Sequence, residues 1–309
     1  MSTTSLLQVR SIRKSFPGVK ALDGVHLDVA PGEVHALLGE NGAGKSTLLK
    51  ILSGAQSADE GTLLFDGEPL SPNDTPIQRR ERGIVTIYQE FNLLPALTVA
   101  ENMYIGREPL RHGLIQWSEM YVRAQELLSD LNIDLDPRAQ VRTLSVAKQQ
   151  MVEIAKAMTV QARLIVMDEP TAALSGREVS QLLDIIRDLR ARGIAIIYVS
   201  HKLTEVKTIC DRYTVFRDGR YVTTGSIADV SVNELCRQMI GRDVETSILG
   251  CTRRSGVGSP GRDTSKGSQW HQLHVAVEHV GERTCRRDCR LCRTGGRGSH
   301  RDGPRDLRR

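Results

Sequence analysis

No stretch of about eighteen consecutive apolar residues occurs in this chain, which leaves no segment able to cross a membrane as a helix. The first ten residues, MSTTSLLQVR, also lack the basic-then-apolar profile of a secretory leader. The expectation is a chain that stays in the cytosol. Cysteine and excess positive charge are scarce before residue 250. Residues 1–249 hold two of the six cysteines and 28 Lys/Arg against 31 Asp/Glu, whereas residues 250–309 hold 14 Lys/Arg against 6 Asp/Glu. The overall charge of +5 therefore hides a slightly acidic body and a strongly basic end, which do not look like one protein. With 309 residues, 39% of them hydrophobic, the chain has enough apolar material for one large or two modest packed domains.

What is present is one decisive stretch, Gly39-Glu40-Asn41-Gly42-Ala43-Gly44-Lys45-Ser46-Thr47, which fits the pattern G-x-x-x-x-G-K-[ST] at every fixed position. It follows a short apolar run, Glu33 to Leu38, and precedes a helical one, Lys45 to Leu52. In that setting glycines let successive backbone N–H groups turn inward on a polyanion, and the helix N-terminus adds about half a positive charge behind them. Lys45 would reach phosphate oxygens and the Ser46 hydroxyl would take a position on Mg²⁺. This is a nucleotide site.

Leu7 to Phe16 alternates like an edge strand, ended by Pro17-Gly18. Phe16 either packs in a sheet or stacks on an adenine ring, the latter worth about 1 kcal/mol beyond its burial. Ala30-Pro31-Gly32 is a turn; Gly61 to Phe65 with Asp66-Gly67 reads as a strand and hairpin turn, and Ile84 to Tyr88 as a buried strand. Gln89 stands where that strand stops and is either exposed or a neutral ligand for Mg²⁺ and a water. Thr98 to Leu131 reads as helical, with Trp117, Met120, Leu127 and Leu128 as anchors. Ser145 opens the next helix, either as a simple N-cap worth about 1 kcal/mol or as a helix start presented to a phosphate. Leu164 to Met167 is an apolar strand ending in Asp168 and Glu169. Beside a phosphate loop, Asp168 suits the surroundings of Mg²⁺ and Glu169 suits a base taking a proton from water. Ser175 to Arg192 reads as a helix and Ala195 to Ser200 as a strand. His201 then follows, either exposed or donating to a phosphate oxygen. Tyr213 to Thr224 reads as a hairpin and Val232 to Ile240 as a closing helix.

With these elements in this order, residues 5 to 245 resemble an ABC transporter ATPase, in particular the first nucleotide-binding domain of ribose, galactose, xylose and arabinose importers. The resemblance implies an α/β P-loop NTPase fold with a RecA-like core, an antiparallel β-subdomain and an inserted α-helical subdomain at about residues 90–160, all within a domain of residues 1–245. It places Phe16 at the adenine-stacking aromatic, Gln89 at the Q-loop, Ser145 in the signature, Asp168 and Glu169 at the second acidic motif, and His201 at the switch histidine. It further implies ATP and Mg²⁺, head-to-tail pairing with a second such domain in a homodimer or on another chain, membrane permease subunits and, indirectly, a sugar-binding protein. The chain would sit peripherally on the cytoplasmic face of the membrane, and no nucleic acid is expected. The family signature L-S-G-G-Q departs here to Leu144-Ser145-Val146-Ala147-Lys148, which adds two side chains where backbone approaches phosphate. Ser175 stands where many relatives carry an aspartate.

Importers of this type carry two such domains in tandem, yet the chain from 246 to 309 is Arg-, Gly- and Cys-rich without apolar period. Shifted by one nucleotide, Thr284 to Arg308 permits R-A-G-E-I-V-G-F-A-G-L-V-G-A-G-R-T-E-M-A-R-A-I-F-G, a strand, a degenerate phosphate loop and a helix. The expectation is a frameshifted or truncated end forming a disordered basic tail. Cys285-x-x-x-Cys289-x-x-Cys292 matches an iron–sulfur spacing, but no barrel follows to complete such a site. The expected function is an ATPase subunit powering carbohydrate import. The alternatives are a truncated MgATP-binding domain with little turnover, or a soluble ABC protein of translation or repair, which the lack of a long linker or coiled-coil insertion disfavours.

Overall fold

In the computed structural model the described residues are 5–241; the frameshift reading, the cysteine spacing and the tail all lie outside them. The chain begins with β1 (Leu7–Phe16), β2 (Val19–Val29), β3 (Val34–Leu38) and α1 (Lys45–Leu52). It continues through β4 (Glu60–Phe65), β5 (Glu68–Pro69), α2 (Pro76–Glu81) and β6 (Ile84–Ile87). There follow α3 (Val99–Tyr104), the short pair β7 (Leu110–Arg111) and β8 (Leu114–Ile115), α4 (Trp117–Asp130) and α5 (Val146–Met158). The last part holds β9 (Leu164–Asp168), α6 (Gly176–Ala191), β10 (Ala195–Val199), α7 (Leu203–Ile209), β11 (Arg212–Arg217), β12 (Arg220–Ser226) and α8 (Val232–Ile240).

Two sheets organise these elements. A six-stranded sheet runs β12-β11-β3-β10-β9-β6, parallel throughout except for β12, and a four-stranded antiparallel sheet runs β2-β1-β4-β5. Strands in the middle of the six-stranded sheet are buried on both faces, so they read as unbroken apolar runs rather than alternating ones. The period of two still sorts them. Val34, Ala36, Ile165, Met167, Ile196 and Tyr198 join one core with α3 to α6, while Leu37, Val166, Ile197 and Val199 join another with α1 and the antiparallel sheet. α1 contributes Leu48, Leu49, Ile51 and Leu52 to the second core, and this apolar face anchors the helix that carries Lys45.

Three sequence expectations are corrected. Leu7–Phe16 is an interior strand, paired with β2 on one side and β4 on the other. Its alternation reports burial of one face, which an interior antiparallel strand shares with an edge strand. Thr98 to Leu131 is two helices rather than one helical stretch, separated by the β7–β8 hairpin between Gly106 and Gln116. Trp117, at the start of α4, is half exposed, while Met120 and Leu128 on the same helix are fully buried. Residue size favoured Trp117 as an anchor, but its place on the helix turns it outward.

Candidate nucleotide site

Strand order alone gathers the motifs. β3, β10, β9 and β6 are parallel neighbours, with Leu37 opposite Val199, Val199 opposite Asp168, and Met167 opposite Ile87. Their carboxyl ends therefore lie along one edge, and just beyond them come Gly39, His201, Glu169 and Gln89. This is where open parallel sheets bind ligands.

The loop between β3 and α1 is held by close backbone contacts that exclude a side chain at two glycines. Gly44 is the N-cap of α1 at φ 96°, and a Cβ there would lie 2.5 Å from the Ala21 carbonyl oxygen of β2. Gly39, at φ 152°, would place one 2.4 Å from the Phe216 carbonyl oxygen of β11. The antiparallel sheet and the core sheet thus clamp the loop from both sides. No side chain caps α1, and its first turn holds no acid, so its N-terminal N–H groups keep their positive character. Asn41 and Gly42 are exposed at the tip of the loop, Ala43 is buried beneath it, and Ser46 is exposed in the first turn of α1 with Thr47 half-buried beside it.

Lys45 folds back into its own loop, donating to the Gly39 carbonyl at 2.7 Å and the Glu40 carbonyl at 3.0 Å. Burial lowers its pKa, and the charges of Glu169, Asp168 and Glu40 act in the opposite sense. Asp168 is held above the ordinary aspartate range by burial first and by the neighbouring Glu169 second, with Lys45 opposing. Two carboxylates and one lysine leave a surplus of negative charge at this edge. That surplus, with the Ser46 hydroxyl nearby in sequence order, is the donor set a hard divalent cation takes. The Glu169 carboxylate meets His201 Nδ1 at 3.2 Å, with the carboxylate three-quarters buried and the imidazole largely exposed.

Gln89 is exposed beyond the end of β6. Phe16 ends β1 with its ring partly open to solvent and Lys14 Nζ 5.9 Å from the ring centroid. Ser145 is exposed at the start of α5, where its Oγ accepts from the Lys148 N–H at 3.4 Å. The structure thus brings the loop, Asp168, Glu169, His201 and Gln89 to one sheet edge, and leaves Ser145 facing outward. Residues 21 and 216, whose carbonyls shape the loop, carry no signal in sequence because they act through backbone oxygen.

A lysine turned into its own glycine loop, two strands from a pair of acids, places the chain among P-loop nucleotide-binding proteins. Residues 22–172 match the ABC transporter family. A ribose import ATP-binding protein of Rubrobacter xylanophilus is 50% identical over 286 residues, 93% of this chain and 54% of that protein. A solved ATP-binding cassette of an ABC transporter superposes with a TM-score of 0.66 at 30% identity, covering 76% of this chain and 95% of the cassette. A second, dimeric cassette with bound ADP and phosphate superposes at 0.62 with 25% identity, over 72% of this chain and 98% of that one. The chain belongs to the ATP-binding cassette family of ABC transporters. It spans about half the length of the curated relatives it matches.

Proposed function

We propose that this chain binds and hydrolyses ATP to power carbohydrate import through membrane permease subunits. One observation carries the reading: the loop with Lys45, the Asp168–Glu169 pair and His201 meet at one sheet edge in a chain half identical to a ribose import ATP-binding protein. The backbone N–H groups of Gly42 to Thr47 cradle the phosphates, and Lys45 exchanges its two loop carbonyls for phosphate oxygens. Phe16 stacks on the base. Ser46, Asp168 and Gln89 would hold Mg²⁺, which would supply positive charge against the phosphates. A Glu169 carboxylate oxygen takes the proton of the attacking water, and His201, beside it, orients the reacting end.

Ser145 is exposed at the start of α5, and in this reading it serves a second cassette, paired head to tail as a homodimer or from another chain. In this reading the chain works peripherally on the cytoplasmic face and a separate permease supplies the membrane span; among the described residues no helix is long and apolar enough to cross a membrane. A sugar-binding protein acts indirectly, through that permease. The cassette takes up residues 1–245, with the helical subdomain at about 90–160.

The test is a pair of variants in the full chain. Glu169→Gln is expected to keep ATP affinity and lower turnover by about 10²-fold or more, the scale of a lost general base. Lys45→Ala is expected to weaken ATP binding itself. Unchanged turnover in the first variant removes Glu169 from its role, and unchanged affinity in the second refutes the phosphate loop.

A further inference from the structure

The helix after His201 carries a carboxylate, about one-tenth exposed, that the mechanism above does not use. Glu205, on α7, accepts hydrogen bonds on one oxygen from the Thr171 hydroxyl at 2.6 Å and the Tyr198 hydroxyl at 2.8 Å. Lys202 Nζ lies 3.4 Å from its other oxygen, and the same ammonium donates to the Thr171 carbonyl at 2.9 Å. Thr171 and Tyr198 are both fully buried. Burial first, and the carboxylate beside it second, push the Tyr198 phenol far above its ordinary range, so it remains a donor at any working pH.

This cluster joins the two segments that bear the site. Thr171 comes two residues after Glu169, while Tyr198 and Glu205 bracket His201. Glu169 holds a left-handed backbone at φ 47°, which costs a residue with a Cβ about 1 kcal/mol. Such a conformation persists where its surroundings over-determine it. The Glu169 N–H donates to the Val199 carbonyl at 2.9 Å, the Ala172 N–H returns to the Glu169 carbonyl at 3.2 Å, and Thr171 is then fastened by its side chain to Glu205 of α7 and by its carbonyl to Lys202, just before that helix.

We propose that Glu205 is a positioning residue: it staples the turn after Glu169 to the helix after His201 and so fixes the 3.2 Å contact between carboxylate and imidazole. The inference rests on the reading of Glu169 as the base. It acts through Thr171 and α7, and its loss loosens the base without touching the phosphate loop.

The experiment compares Glu205→Ala, Glu169→Gln and the double variant in the full chain. It measures ATP turnover, ATP affinity and hydrogen–deuterium exchange over residues 169–174. Glu205→Ala is expected to lower turnover about tenfold or more with affinity changed by less than about twofold, the pattern of a misplaced reacting group. In the Glu169→Gln background it is expected to cost little more, because no base is left to position. Exchange at 169–174 is expected to rise while exchange in residues 39–45 stays the same. Wild-type turnover in Glu205→Ala, fully additive losses, or unchanged exchange at 169–174 would each overturn the proposal. If Glu169→Gln alone keeps its turnover, the base reading fails, and the exchange comparison still decides whether Glu205 holds the turn. Should Glu205→Ala not fold, Thr171→Val removes the shortest of these hydrogen bonds at nearly constant shape and is read by the same measures, with Thr171→Ser expected to restore them.

Discussion

At Lys45 two effects oppose each other: burial disfavours the ammonium, and three nearby carboxylates favour it. Its hydrogen bonds to the Gly39 and Glu40 carbonyls satisfy the charge inside the loop, and phosphate oxygens can take over the same donors. The glycines around it are constrained from outside the loop. Gly44→Ala forces a Cβ into a left-handed backbone and against the Ala21 carbonyl oxygen, which is backbone and cannot rotate away. The expected cost is about 1–2 kcal/mol from the conformation alone, with more from the contact, read as a lowered urea midpoint. A midpoint equal to wild type would show that the loop and β2 can part without strain. These residues were legible in sequence because phosphate binding needs them at fixed spacing. Glu205 and Thr171 were not, because 34 residues separate them and only the neighbouring of β9 and β10 brings them together.

Element boundaries followed sequence closely where the apolar period is clear. α1 and α8 begin and end where their apolar pattern does, and α5 begins after Ser145. Ser145→Ala separates two roles of that residue. As a cap its bond is long, so the expected stability loss is about 0.5 kcal/mol, the low end for such residues. If it also meets the phosphate of a second cassette, turnover should fall by far more than that loss implies; a turnover matching the wild type would reduce Ser145 to a cap. α5 is also tied to the segment after Gln89, since Glu153 accepts from the Asn92 N–H at 2.8 Å and Lys156 donates to the Asn92 carbonyl at 2.9 Å. That tie was illegible, as was β2, whose apolar alternation is interrupted at Gly24 beside its bulged pairing with β1. The hairpin between α3 and α4 was missed because the helical period on either side is strong, although Gly106, Pro109 and Gly113 all mark a break.

On the scale of the whole molecule, the core sheet sets two adjacent carboxylates, Asp168 and Glu169, at the carboxyl end of β9. Asp168 has a folded pKa above its ordinary 3.8, so the fold gains from its neutral carboxyl at low pH and loses that gain as pH rises through the elevated value. Glu153, raised chiefly by burial from its ordinary 4.5, acts in the same sense. Above that elevated value the ionised, half-buried Asp168 therefore weighs against the nucleotide-free fold. Asp168→Asn is expected to raise the melting temperature of the nucleotide-free protein at pH 7, to change it little below pH 3.8, and to diminish the stabilisation that MgATP confers. A lower melting temperature at pH 7 would show that Asp168 is held by attraction rather than strained by burial. The phosphate loop, its helix, the acids at the end of β9 and the apolar strands were written in local sequence, because each depends on residue types at short, fixed spacing. Which ends of those strands lie side by side, which glycines cannot become alanine, and which side chains fasten the turn after Glu169 were decided by tertiary structure, because they depend on backbone and side chains that the sheet order brings together from distant parts of the chain.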